Sequence, residues 1–313
     1  MSTITTDRDG RTMTVRIENP PHNFMNRVMV AELDELTRSL ESDRSIGAVV
    51  ITGGVEGRFI THYDVAEIVA GTETVGMEVS SAVAGTALRA VRGAARIPGA
   101  QDALGRTPAA GMLELHAIHD LFLRIGRLDK VFIAAINGPA LGGGCELALA
   151  CDLRYMARDA GVIGLPEMTL GFNPGAGGTQ RLTDVLGPGR ALEMILEAEA
   201  LKPRDALEAG LVHRLVREKD LLAEASATAA RLARRAPISI AGAKRAVREG
   251  SRRSLPDGLA LERKWFLAAA SKPASQRAMR AYVERVEAGG APWSDDDALR
   301  PWREGTVVDL TSE

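Results

Sequence analysis

Apolar residues alternate with polar ones at Met13, Val15 and Ile17, a period of two that predicts a half-buried strand. Pro20, Pro21 and Asn23 turn the chain into a helix, since Met29, Leu33, Leu36 and Leu40 recur at the spacing that puts them on one helical face. A second strand at 47–52 is apolar throughout, and after Gly53 and Gly54 the stretch 58–64 reads as a short strand running into a loop, with a helix from about Val65. The stripe Leu115, Ile118, Phe122 and Ile125 predicts a helix, and the apolar run 131–136 a strand. Helical runs at 179–186, 189–197 and 203–209 then precede a strand at 212–216. Strands alternating with helices predict an α/β core over residues 1–220.

Two parts of the pattern are weaker. The Gly/Ala-rich stretch 71–111, with Arg89, Arg92, Arg96 and Arg106, is expected to be helical over 79–91 and to be loop, partly mobile, around Pro98, Gly99, Gly105 and Pro108. From Leu221 the pattern is helical, with turns near Pro237, Gly250, Pro256 and Pro273, which reads as a helical subdomain over 221–290. Its helices at 260–270 and 276–287 carry apolar faces that a monomer leaves uncovered, so an oligomer is expected. The tail 291–313, with Trp293, Trp302 and Asp295 to Asp297, is expected to be an extended or partly ordered appendage.

Composition narrows the class. At 313 residues, 45% hydrophobic and 26% charged, the chain reads as a soluble globular protein, and its net charge of −2 argues against a general nucleic-acid binder. No apolar run is long enough to cross a membrane and residues 1–10 lack the regions of a signal peptide, so a cytoplasmic location is the default. The two cysteines, Cys145 and Cys151, fit neither a disulfide framework nor a zinc site and read as small buried residues.

Two stretches carry chemistry. The first runs I-A-A-I-N-G-P-A-L-G-G-G-C-E-L-A-L-A-C-D from Ile133 to Asp152, and the second L-P-E-M-T-L-G-F-N-P-G-A-G-G-T-Q-R-L from Leu165 to Leu182. Gly142, Gly143 and Gly144 lead from a strand into a helix, a turn that points free backbone N–H groups at one spot. Those amides, at the positive end of a helix dipole, suit a developing oxyanion, and glycine lets a ligand approach. Glu146 follows within one turn. Alone it would read as a solvated face residue, but Leu147, Ala148, Leu149 and Ala150 make its helix look buried. Together with Glu167, it describes a site for an enolate.

These two stretches resemble the enoyl-CoA hydratase/isomerase, or crotonase, superfamily. The resemblance runs from about Val15 to Arg285, with supporting matches at 47–53, at Asp205-Ala206 with 209–212, and at Ala243-Lys244. It implies a spiral core of repeated ββα turns, a C-terminal helical domain used for trimer formation, often as a dimer of trimers, and acyl-CoA substrates. It implies that the backbone N–H groups of Gly143 and Tyr63 form the oxyanion hole. Glu146 and Glu167 take the positions that hold water and exchange protons with substrate, and Gly175 offers a further amide to the water. No metal and no redox cofactor are expected, coenzyme A being part of the substrate.

The chain also departs from the family's pattern. His62 and Tyr63 stand where the family usually has a glycine and then a small or aromatic residue, and the lost glycine is expected to change the loop's φ/ψ or to narrow the entrance for coenzyme A. His62 reads more readily as a packing residue than as a catalyst, while Gly142 and His62 are taken as lining the substrate site. Arg58 and Lys264 are candidates for the nucleotide end of coenzyme A by charge attraction. The stretch 71–111 is longer than in short-chain hydratases, so a bulky acyl group is expected. The leading expectation is reversible hydration of a trans-2-enoyl-CoA. Double-bond isomerisation comes next, a non-catalytic acyl-CoA binding role after it, and RNA binding last, for want of a lysine-rich helix.

Overall fold

The computed structural model describes residues 3–76, 78–97 and 99–312. An antiparallel hairpin, β1 (Ile4–Asp9) and β2 (Thr12–Ile17), leads into α1 (Arg27–Ser42). After β3 (Ala48–Gly53) come α2 (Val65–Val75), α3 (Ser81–Ala94), α4 (Ala100–Leu104) and α5 (Ala110–Arg127). Two ββα turns follow: β4 (Val131–Ile136), β5 (Ala140–Leu141) and α6 (Gly143–Ala150), then β6 (Leu153–Ala157), β7 (Ile163–Gly164) and α7 (Gly178–Leu196). A 3-10 turn, Glu167–Leu170, separates β7 from α7. The α/β part closes with β8 (Ala200–Leu201), α8 (Pro203–Glu208) and β9 (Arg214–Val216). Then come α9 (Glu218–Leu232), α10 (Pro237–Arg248), α11 (Leu255–Ala270), α12 (Pro273–Glu287) and α13 (Asp296–Arg303).

The main sheet has the order β1-β2-β3-β4-β6-β9, parallel from β2 onward, and β5, β7 and β8 form a second, smaller sheet. A bridge from Ile60 to Ala140 extends the small sheet toward the 58–64 loop. The two ββα turns thus each give one strand to each sheet and then a helix. The β4 strand is buried along its whole length and β3 along nearly all of it, which is why both are apolar runs without alternation. Helix α9 packs on β3, β4 and β6, while α1 packs on α5.

Every residue of α6 is buried, as its apolar sequence requires, and the helix touches α5, α7 and β5. Its C-terminal end is held from the helical subdomain. Arg248 donates to the carbonyls of Ala150 and Cys151, the end of the helix dipole where a cation is favoured. Lys244 donates to the carbonyls of Ile125 and Lys130 at 2.9 Å and to Asp152 Oδ2 at 2.8 Å. Asp152 also takes the Phe132 amide and an Arg248 N–H. The cluster ties β4, α5, α6 and α10 together and fixes where the other end of α6 points.

The fold departs from the sequence reading in four places. Helix α3 lies where a helix was expected over 79–91, but α4 adds a short helix within the stretch read as loop, and Pro98 lies outside the described residues. The 58–64 segment is not a full strand but a loop with bridges at Ile60 and Tyr63. The final strand begins at Arg214, since the Val212 amide turns back to Ala206. The tail contains α13, because Asp295 caps the Ala298 amide at 2.8 Å while Asp296 and Asp297 sit in the first turn. Trp293 and Trp302 pack with Tyr282 of α12, and Arg235 holds the Trp302 carbonyl.

Candidate active site

The site forms where the N-terminus of α6 meets the loop before α2 and the turn before α7. Gly142, which caps α6, has φ 48° and ψ −121°, a conformation that L side chains avoid. A methyl group on Gly144 would lie 2.0 Å from the Ile60 carbonyl oxygen, so only glycine lets α6 start so close to the 58–64 loop. The close approach brings Gly143 against Tyr63, whose amide nitrogen lies 3.6 Å from where a Gly143 Cβ would be.

The Gly143 and Tyr63 amides are left without intraprotein acceptors for separate reasons. Gly143 is the first residue of α6, so its N–H has no partner within the helix. Around Tyr63 the main chain bonds Met25 from both sides: the Met25 amide donates to the His62 carbonyl at 2.8 Å, and the Asp64 amide to the Met25 carbonyl at 2.7 Å. Tyr63's own N–H is therefore turned away from Met25. Among the described residues neither amide has an intraprotein acceptor.

Glu146, one turn into α6, is 3% exposed. Its Oε1 accepts the Ala176 and Gly178 amides, both at 2.7 Å. Burial pushes this carboxyl above its ordinary range, while the two amides and Arg181 pull it back. Arg181 Nη1 donates to the Ala176 carbonyl at 2.9 Å, and His119 Nε2 lies 2.6 Å from the Gly175 carbonyl oxygen, so the 174–178 loop is gripped from α7 and α5. Glu167 opens the 3-10 turn, 9% exposed, with Oε2 buried and without a hydrogen-bond partner. Burial pushes it up to about 7, its own backbone N–H opposing and the charge of Glu146 adding. A buried carboxyl oxygen without a partner has the capacity to take a hydroxyl or water.

Gly142 links the second glutamate to the oxyanion loop. The position of its missing Cβ lies 3.0 Å from Glu167 Oε1 and 3.9 Å from His62 Cβ. His62 stacks on Phe24, with ring centroids 4.2 Å apart, and its Nδ1 lies 2.7 Å from the Tyr63 carbonyl oxygen. Glu146, Glu167, Tyr63, Gly143, Gly142 and His62 thus converge. Gly175 is exposed beside the loop that holds Glu146, with Leu115 against it. Arg58 is half-buried and Lys264 is exposed on α11, which packs on α10 and α12; no hydrogen bond or ion pair joins either to the site among the described residues. Sequence reasoning missed the Ala176 and Gly178 amides and the guanidinium of Arg181, although all three lie within the quoted second stretch. Their roles depend on how that loop folds back onto α6.

Comparison with known proteins gives the same class. The enoyl-CoA hydratase/isomerase family profile matches residues 100–295. A short-chain-enoyl-CoA hydratase of Clostridium acetobutylicum is 30% identical over 291 residues, covering 93% of this chain and 98% of its own length. A probable mitochondrial enoyl-CoA hydratase of Dictyostelium discoideum is 31% identical, covering 90% of this chain and 88% of its own. The crystal structure of an enoyl-CoA hydratase of Bacillus anthracis superposes with a TM-score of 0.72 at 28% identity, covering 90% of this chain and 96% of its own. The chain belongs to the enoyl-CoA hydratase/isomerase family, and its fold is the crotonase fold with a C-terminal helical region.

Proposed function

We propose that this protein adds water reversibly across the double bond of a trans-2-enoyl-CoA to give a 3-hydroxyacyl-CoA. The observation that carries the reading is the pair of buried glutamates, Glu146 and Glu167, set beside two amides with no acceptor of their own. The thioester oxygen takes the Tyr63 and Gly143 N–H groups, which stabilise the negative charge it gains as the enolate forms. Removing one such donor costs about 3 kcal/mol of barrier in comparable sites.

The two carboxyls divide the proton work. Glu146 holds its Oε1 on two amides, which favours the ionised form, and it accepts a proton from water as the water oxygen bonds to C3. The π electrons of the double bond move to the thioester as an enolate. Glu167, whose pKa burial raises to about 7 so that part of it carries a proton near neutrality, then donates that proton to C2 as the carbonyl re-forms. The net change is addition of one water, and proton exchange between the carboxyls and solvent restores the starting state.

The test uses deuterium oxide and purified full chain with crotonyl-CoA. Under this reading the 3-hydroxybutyryl-CoA formed carries one deuterium at C2. A product that keeps all its atoms but has its double bond moved to the 3,4 position would replace hydration with isomerisation. Binding without any turnover would leave an acyl-CoA binding protein.

An association of three chains belongs to the same proposal. Leu255, Phe266 and Leu267 of α11 are 75%, 67% and 66% exposed, and Met279 and Val283 of α12 are exposed beside them in chain order. Apolar side chains at this density call for a covering surface, and a different face of a neighbouring copy, repeated around a three-membered ring, supplies one.

A further inference from the structure

Tyr63 lies near the end of a short pairing in which the Thr61 amide bonds the Asn23 carbonyl and Met25 bonds the residues on both sides of Tyr63, and its amide must stay aimed at the space beside Gly143. Its side chain is tied down separately. The Tyr63 hydroxyl donates to Glu67 Oε2 at 3.0 Å, and the same carboxylate accepts the Arg27 amide at 2.9 Å and Arg27 Nε at 3.1 Å. Arg27 opens α1, so its amide would otherwise lack a partner, and its guanidinium lies 3.7 Å from Glu114 of α5.

Glu67 is free for this because of the helix it stands on. Asp64 caps α2 through the Ala66 amide at 2.9 Å, which makes Glu67 the third helical residue. In a capping box a glutamate there reaches back to the amide of the cap residue. Here the Asp64 amide is already given to the Met25 carbonyl, and the Glu67 carboxylate turns to Tyr63 and Arg27 instead. One carboxylate thereby joins the oxyanion loop, the start of α1 and the start of α2.

We propose that Glu67, acting through the Tyr63 hydroxyl, is a positioning residue that aims the Tyr63 amide at the substrate's thioester oxygen. The proposal rests on the oxyanion reading above and adds to it residues outside the two quoted stretches. Without the tether the ring swings about its Cα and the amide loses its aim. The phenol stays a donor throughout, since burial and the Glu67 charge hold it above its ordinary range.

The experiment is difference infrared spectroscopy of butyryl-CoA, labelled with carbon-13 at the thioester carbonyl, bound to the wild type, Y63F, E67Q and the double variant, with steady-state kinetics on crotonyl-CoA. Hydrogen bonds to the carbonyl lower its stretching frequency, and butyryl-CoA cannot react, so the readout is independent of turnover. The wild type lowers the frequency on binding, and Y63F and E67Q each lose about half of that lowering. Their kcat falls about tenfold with KM within about twofold, and the double variant is no worse than either single one. Full lowering and full kcat in both single variants overturn the proposal. Loss in E67Q alone also overturns it, because Y63F leaves the Glu67–Arg27 contact in place and the effect then comes from that link between the starts of α1 and α2. Absence of any lowering in the wild type removes the oxyanion reading itself.

Discussion

The Gly178 amide donates to Glu146 Oε1 at 2.7 Å, and a methyl group on Gly178 would lie 2.9 Å from that same oxygen. Leu165 Cδ1, also 2.9 Å from the methyl position, blocks the opposite escape. G178A therefore displaces the carboxylate proposed to take the water's proton. Turnover of crotonyl-CoA falls on the order of a hundredfold, as expected for a catalytic group moved by about an ångström. Folding stability drops by about 1–3 kcal/mol from the overpacking, read from urea unfolding.

Glu167 gives stability and activity a linked pH dependence. Its folded value, about 7, lies above the ordinary 4.5. With a raised carboxyl the folded state holds its proton longer, so stability is undiminished while both states are protonated and declines as pH rises from about 4.5 to about 7. E167Q removes the buried charge: it melts higher than the wild type at about pH 8, and the gap closes toward about pH 4. Hydration by the wild type falls on the alkaline side, with an apparent pKa near 7 in kcat/KM, as the acid that protonates C2 is lost.

The cluster around Asp152 should be the costliest polar contact to break. K244M removes the donor to two buried carbonyls and to the partly buried Asp152 carboxylate. Loss of one partner from such a buried pair costs about 3–5 kcal/mol, and the persistence of Arg248 on Asp152 keeps the effect near the lower end. Urea unfolding of K244M against the wild type reads this difference.

The exposed face of α11 gives a prediction of assembly. The wild type sediments as a multiple of three chains, and the double substitution F266E/L267E, which places charges on two residues that are 67% and 66% exposed, sediments as a single chain. An unchanged mass in the double variant would locate the association elsewhere.

How much of this was legible in the sequence follows from where each interaction lies along the chain. The strand β4 and helix α6 were readable because every residue in them is buried and glycine and proline punctuate the sequence between them. The hairpin strand β1 was not, because five of its six residues are exposed and it carries no apolar alternation. Strands of two residues such as β5, β7 and β8 are too short to leave a period at all. In the site, Glu146 and Glu167 announced themselves by their glycine and proline neighbours. The contacts that set their chemistry, from Ala176 and Gly178 to Glu146, span about thirty residues and depend on tertiary folding. The same holds for Lys244 with Asp152, and for Arg27 with Glu67. Lys264 drew attention by its charge, which carries no information on where α11 would be placed.

The measurement that tests the two-glutamate reading most directly is the loss of conjugated enoyl-thioester absorbance on a series of 2-enoyl-CoA substrates, short, long and cyclic, with wild type, E146Q and E167Q in parallel. The account predicts turnover by the wild type and its loss, by at least about two orders of magnitude, in each variant, with acyl-CoA binding retained. Turnover that survives in either variant, or its absence in the wild type on every substrate, would contradict it.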